Sequence, residues 1–115
     1  MPVNSRSKGK RGELELAEIL RSHGWEARRG QQFKGGTDSP DVVTNMPGNF
    51  HVECKRVEAG SLYAWLEQST RDAHHDASPV VMHKRNGKPW VAILTLENFA
   101  TLVKLAFEKE QTNGN

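Results

Sequence analysis

Cysteine occurs once in this chain, at position 54. A single thiol excludes an intrachain disulfide and reads most naturally as a cytoplasmic protein. No apolar run approaches the roughly 18 residues that a membrane helix needs. The opening MPVNSRSKGKRGE is basic, but no apolar segment follows it, which excludes a secretory signal there. Internal repeats are absent, and so is any linker that would separate one domain from another. Residues 1–115 therefore read as one domain, with flexible ends expected over 1–8 and 108–115. Strong net charge is lacking too: the sum is +2. Its distribution is uneven, however. Residues 1–35 hold eight Lys/Arg against four Asp/Glu, and residues 36–115 hold eight against ten. A basic arm on a nearly neutral body suits a polyanion, although basic termini also serve solubility.

What is present is a 36% apolar, 26% charged composition typical of a soluble globular domain. Apolar periodicity predicts a helix over Gly12–Ser22, stopped by Gly24, and a strand over Trp25–Arg29. A glycine-rich polar loop over 30–39 follows. Two strands, Pro40–Thr44 and Phe50–Val57, flank the turn NMPGN. A second helix is expected over Leu62–His75, then strands Pro79–His83 and Trp90–Leu94 around the hairpin dipeptide Asn86-Gly87. Thr95 is placed to N-cap a last helix over Leu96–Phe107. The order predicts an α/β fold: a mixed central sheet flanked by helices.

The stretch PDVVTNMPGNFHVECK, residues 40–55, carries the chemistry. With Pro47 at the centre of a simple hairpin, paired residues sum to 94, which sets Asp41 opposite Glu53 and Val42 opposite Val52. Alternation sends Phe50, Val52, Cys54 and Val42 to one face and Asp41, Glu53 and Lys55 to the other. Two carboxylates about 5 Å apart across a ladder repel. A hard divalent cation reverses the sign of that interaction, because it takes oxygen ligands from one or two carboxylates, water and phosphate. Lys55, about 7 Å along the strand from Glu53, could then stabilise charge developing on a phosphate or orient the attacking water. The same spacing also fits a solvent-facing strand edge with an ordinary ion pair.

The first helix bears on that choice. From Glu13, positions i+3, i+4 and i+7 are Leu16, Ala17 and Leu20, so Glu13 lies on the inward stripe. A carboxylate there is costly unless paired or metal-bound; an acid favoured by the helix dipole is the other reading. Glu15 faces a mixed or solvent side. Among the remaining candidates, His74, His75 and His83 lack zinc-site spacing and read as surface residues. Trp25, Trp65 and Trp90 read as core, and Cys54 as a small core residue whose backbone carbonyl could serve as a metal ligand.

SKGKRGELELAEILRSHGW, RRG, PDVV and HVECK together resemble the archaeal-type Holliday-junction resolvases of the PD-(D/E)xK nuclease superfamily, over about Ser7 to Trp90. The resemblance implies a restriction-endonuclease-like αβββαβ core, a homodimer, and Mg²⁺-dependent cutting of branched DNA, with Mn²⁺ able to substitute. It implies Glu13, Asp41 and Glu53 as metal ligands and Lys55 as the catalytic lysine. Gln68 falls where related nucleases place a polar residue near the site. Lys8, Lys10, Arg11 and Arg29 match positions that bind the DNA backbone, and Lys34 lies in the loop expected to reach along a DNA arm. A nuclease of the same fold acting on flaps, forks or duplex DNA, or a catalytically silent DNA-binding module, are the rival readings. A dimer surface is expected from Leu62–Leu66 and Trp90–Leu94.

Overall fold

The structure is a computed structural model that describes residues 5–30 and 39–113, with side chains described for 9–30 and 39–108. The element order is α1 (Ser5–Ser22), β1 (Ala27–Arg29), β2 (Val42–Thr44), β3 (Phe50–Lys55), α2 (Leu62–Asp72), β4 (Ser78–His83), β5 (Val91–Ile93) and α3 (Leu96–Asn113). The five strands form one mixed sheet in the order β1-β2-β3-β4-β5. Only the central β3–β4 pair is parallel; the others are antiparallel. A parallel pair needs a crossover, and α2 supplies it. This is the α/β, restriction-endonuclease-like arrangement expected.

Several element ends differ from the sequence reading. Helix α1 starts at Ser5 rather than Gly12, and α3 runs to Asn113 rather than Phe107. Both extensions are polar, so apolar periodicity does not mark them, yet nothing in them breaks a helix. Gly24, with φ 94°, ends the last turn of α1, where its N–H meets the Arg21 carbonyl at 2.9 Å. Thr95 caps α3 as expected: its Oγ1 accepts from the Asn98 N–H at 3.1 Å. The NMPGN turn places Gly48 at φ 122° and Asn49 at φ 50°. In the later hairpin only Gly87 takes positive φ, at 76°, so Asn86-Gly87 does not form the turn with two left-handed residues that favours this dipeptide.

The core lies between α1 and one face of the sheet. Leu16, Ala17 and Leu20 pack with Ala27, Val42, Val52, Val80 and Met82. The opposite face carries Val81, His51, Glu53 and His83 and is covered partly by α2. His83 is therefore buried, not a surface residue: its Nε2 bonds the Val57 carbonyl oxygen at 2.9 Å and its ring lies 4.8 Å from that of Trp65. Trp25 is the converse case. It falls in the turn before β1 and is 37% exposed, while Trp65 and Trp90 are half-buried.

Gly12 sets how close α1 comes to β3. A Cβ there would lie 2.6 Å from Cβ of Arg56 and 3.6 Å from Sγ of Cys54. Helix α3 stands largely outside the core, with Leu96, Phe99, Val103, Leu105 and Phe107 all exposed. Among the described residues no helix is long and apolar enough to cross a membrane.

Candidate active site

The register of β2 on β3 is the one the turn predicts: Val42 faces Val52. Asp41 enters the ladder through its own N–H, which donates to the Val52 carbonyl at 2.8 Å, and its Oδ2 accepts from the Cys54 N–H at 2.8 Å. On its other side, the Asp41 carbonyl accepts from the Gly30 N–H at 2.8 Å, and a Cβ on Gly30 would lie 2.0 Å from the Pro40 carbonyl oxygen. Glycine at 30 thus lets the chain close on the Asp41 segment.

Burial raises the Asp41 carboxyl from an ordinary 3.8 to about 7, with the negative charge of Glu53 the next cause. The Cys54 N–H opposes this by favouring the charged form, and the charge of Glu13 adds to the rise. The Glu53 carboxylate is thus close enough to Asp41 for its charge to be felt there. Two acids that the sequence places across a ladder therefore lie close together, and near neutral pH Asp41 is partly protonated.

Each of the other acids has a cationic or hydrogen-bonding neighbour. Glu13, 8% exposed on α1, accepts from Nε of Arg29 at 2.7 Å. Glu53, 9% exposed on β3, lies 3.2 Å through Oε1 from Nε2 of His51. Glu13 belongs to the α1 side of the sheet and Glu53 to the α2 side, with Asp41 feeling both. For this reason no three His, Cys, Asp or Glu side chains among the described residues converge as a ready metal cage. The neighbouring carboxyls of Asp41 and Glu53 nevertheless fit a hard divalent cation, which would offset the charge that raises Asp41. Glu13, the third acid, has its Oε2 on Arg29.

Lys55 ends β3, half-buried, on the same strand face as Glu53. Its Nζ forms no ion pair with any described residue. Cys54 alternates to the α1 side as expected. Burial pushes its thiol up to about 12, helped by the charges of Asp41, Glu13 and Glu15, so it is no nucleophile at neutral pH. Gln68 is exposed on α2 and makes no hydrogen bond with the acids among the described residues. Lys10 and Arg11 are exposed on α1, and Arg29 is engaged with Glu13. Lys34 and the side chain of Lys8 lie outside the described residues.

Two further residues stand beside these acids and were not among the sequence candidates. His51 is a buried histidine two positions before Glu53, on the same strand face, and this i, i+2 spacing was the one available signal. Arg56, next to Lys55, reaches Glu15 at 3.5 Å and Glu58 at 3.6 Å, and bonds Oδ1 of Asn86 at 2.9 Å. It ties α1 to the segment after β3 and to the β4–β5 turn.

Comparison with known proteins places the chain in a family and a fold. The model of a family described as phage putative PDDEXK endonucleases matches residues 4–113. The chain belongs to that family and is a nuclease of the PD-(D/E)xK type. Among solved structures it is similar to Hjc of Archaeoglobus fulgidus, a Holliday junction resolvase from an archaeal hyperthermophile. That likeness has a TM-score of 0.54 and 23% identity, and it covers 73% of each chain. No curated protein matches the sequence.

Proposed function

We propose that this nuclease is a divalent-metal-dependent endonuclease of branched DNA, cutting four-way junctions as a homodimer. One observation carries the reading: Asp41 is held, half-buried, against Glu53, beside a Lys55 that no described residue pairs. An arrangement that costs stability in the free protein is accounted for if a cation binds there. Mg²⁺ is the proposed ion, with Mn²⁺ able to substitute; bound at the carboxylates, it supplies positive charge to the scissile phosphate and lowers the pKa of a bound water.

The chain's own groups supply the rest. Asp41 and Glu53 offer carboxylate oxygens, and the Cys54 carbonyl is a further oxygen donor on the same strand. The Cys54 N–H fixes one oxygen of Asp41. His51 holds one oxygen of Glu53 in place. Lys55 donates to the phosphate or to the attacking water as negative charge develops. Glu13 is available as a third acid when Arg29 turns to a phosphate, while Lys10 and Arg11, with Lys8 and Lys34, contact the DNA backbone without reading bases. Gln68, exposed on α2, is a polar group near the substrate.

Symmetric cutting of a junction needs two copies of this site, which a two-fold dimer provides. Helix α3 supports that assembly: Leu96, Phe99, Val103 and Phe107 recur at i, i+3, i+7 and i+11 on an exposed face. Leu62, Tyr63 and Val91, in the segments expected to supply a dimer surface, are exposed as well.

The test is cleavage of a synthetic four-way junction beside matched duplex, fork and single-stranded DNA, with Mg²⁺, Mn²⁺ or chelator, together with light scattering at micromolar concentration. Paired symmetric cuts in the junction by a dimer are expected. A monomer that nicks duplex or fork equally well would replace the resolvase reading with the flap- or nick-directed one. DNA binding without any cleavage would leave a silent binding module.

A further inference from the structure

The basic arm found in the sequence has a counterpart across the site. The β4–β5 hairpin carries Lys84, Arg85 and Lys88 within five residues that contain no acid. Lys84 is half-buried, and Arg85 and Lys88 are exposed. None of the three forms an ion pair with a described residue. The hairpin begins beside the catalytic lysine, because Lys55 faces His83 in the parallel β3–β4 register and the Lys84 N–H donates to the Lys55 carbonyl at 3.1 Å.

The hairpin is also held in shape. Its turn closes with the Lys88 N–H on the Arg85 carbonyl at 3.1 Å, and the Asn86 N–H donates to both carboxylate oxygens of Glu58 at 3.1 Å. Glu58 is occupied there and by Arg56, so the nearest acid is already engaged. Arg56 bonds the Asn86 side chain at 2.9 Å and the Lys84 carbonyl at 3.5 Å, reaches Glu15 of α1, and packs under Gly12. Gly12 directly follows Lys10 and Arg11. One half-buried arginine thus joins the cationic start of α1 to the cationic hairpin, with the Lys55 end of β3 between them.

Resting on the reading of this chain as a DNA nuclease, we infer that the Lys84–Lys88 hairpin is a second phosphate-binding surface. It would grip the DNA backbone on the side of Lys55 away from β1. Duplex DNA carries phosphates at close, regular spacing, and a rigid hairpin bearing two exposed cations matches that polyanion without reading bases.

The experiment is fluorescence anisotropy of a labelled duplex and a labelled four-way junction, in chelator so that no cutting occurs, between 50 and 200 mM salt. Three proteins are compared: the wild type, Arg85→Gln/Lys88→Gln, and Lys10→Gln/Arg11→Gln. Circular dichroism melts check that each is folded, and Lys88→Gln alone serves if the double variant is not. The hairpin variant should bind both DNAs more weakly, and its slope of log K against log salt on duplex should shrink by about 1.8, or about 0.9 for the single variant. An unchanged slope in a folded hairpin variant, with a reduced slope in the α1 variant, would overturn the inference and leave the nuclease reading standing. A wild-type protein that binds neither DNA would overturn both.

Discussion

Replacing Asp41 by asparagine removes a carboxyl that burial and the Glu53 charge hold protonated near neutral pH, and the structure sets the size of the effect. The Asp41 carboxyl sits at about 7 in the folded chain, against an ordinary 3.8 when unfolded. Between those values the folded chain keeps a proton that the unfolded chain releases. Stability therefore falls as pH rises from about 4 to 7 and levels off above. At ~1.4 kcal/mol per pH unit the ceiling on that loss is ~4 kcal/mol. Asp41 is only half-buried, so solvent screening brings the expected figure to about half, or ~2 kcal/mol. Asparagine cannot ionise, its oxygen can still accept from the Cys54 N–H, and its NH₂ can donate to Glu53. In chelator at pH 8, Asp41→Asn should melt ~8 °C above the wild type, at ~4 °C per kcal/mol for a domain of this size. Near pH 4.5 the two should nearly coincide. Adding Mg²⁺ at pH 8 should raise the wild type and leave the variant unmoved, and the variant should not cut DNA. The readout is a circular dichroism melt at the two pH values. A variant less stable than wild type at pH 8, or an offset that does not change with pH, would refute the reasoning.

Other expectations follow from the same geometry. Gly12→Ala places a methyl 2.6 Å from Cβ of Arg56 and should cost about 1–3 kcal/mol in a denaturant melt, by prising α1 from β3; an unchanged midpoint would show that the contact yields freely. His51→Gln should weaken Mn²⁺ binding ~10–100-fold in calorimetry, the usual cost of losing a group that orients a ligand, and equal affinity would remove His51 from that role. Arg29→Gln leaves Glu13 without its partner at 2.7 Å. Because the pair is partly exposed, about 1–2 kcal/mol of stability should be lost in chelator. Most of it should return with Mg²⁺, and no recovery would argue that Glu13 does not meet the cation. Phe99→Glu/Val103→Glu should leave the melting curve nearly unchanged but reduce the mass seen by light scattering to that of a monomer, whereas a persisting dimer would place the interface elsewhere.

Local pattern was enough to set the strand alternation, the Val42–Val52 register and the inward face of α1 that buries Glu13. These depend on periods of 2 and 3.6 residues and on one short turn, all of which can be counted along the chain. Thr95 at the start of α3 is legible for the same reason, since a cap acts within three residues. The neighbours of each acid are different in kind. Arg29 reaches Glu13 over 16 residues, and Arg56 reaches Asn86 over 30. Such pairs form only once the parallel β3–β4 crossover and the packing of α1 on the sheet have been settled by the chain as a whole. The burial of His83 and the exposure of Trp25 follow from the same global choice, because α2 covers one region of a sheet face and nothing described covers the α1–β1 turn. The hairpin cations are the clearest instance. In the sequence they sit in a segment whose acids outnumber its bases, and summed charge dilutes them. In the fold Glu15 and Glu58 are engaged by Arg56, and three cations with no ion-pair partner among the described residues share the hairpin that Lys84 joins to Lys55. Composition sums charge along a line, whereas a polyanion meets charge on a surface, and only the tertiary structure decides which charges share one.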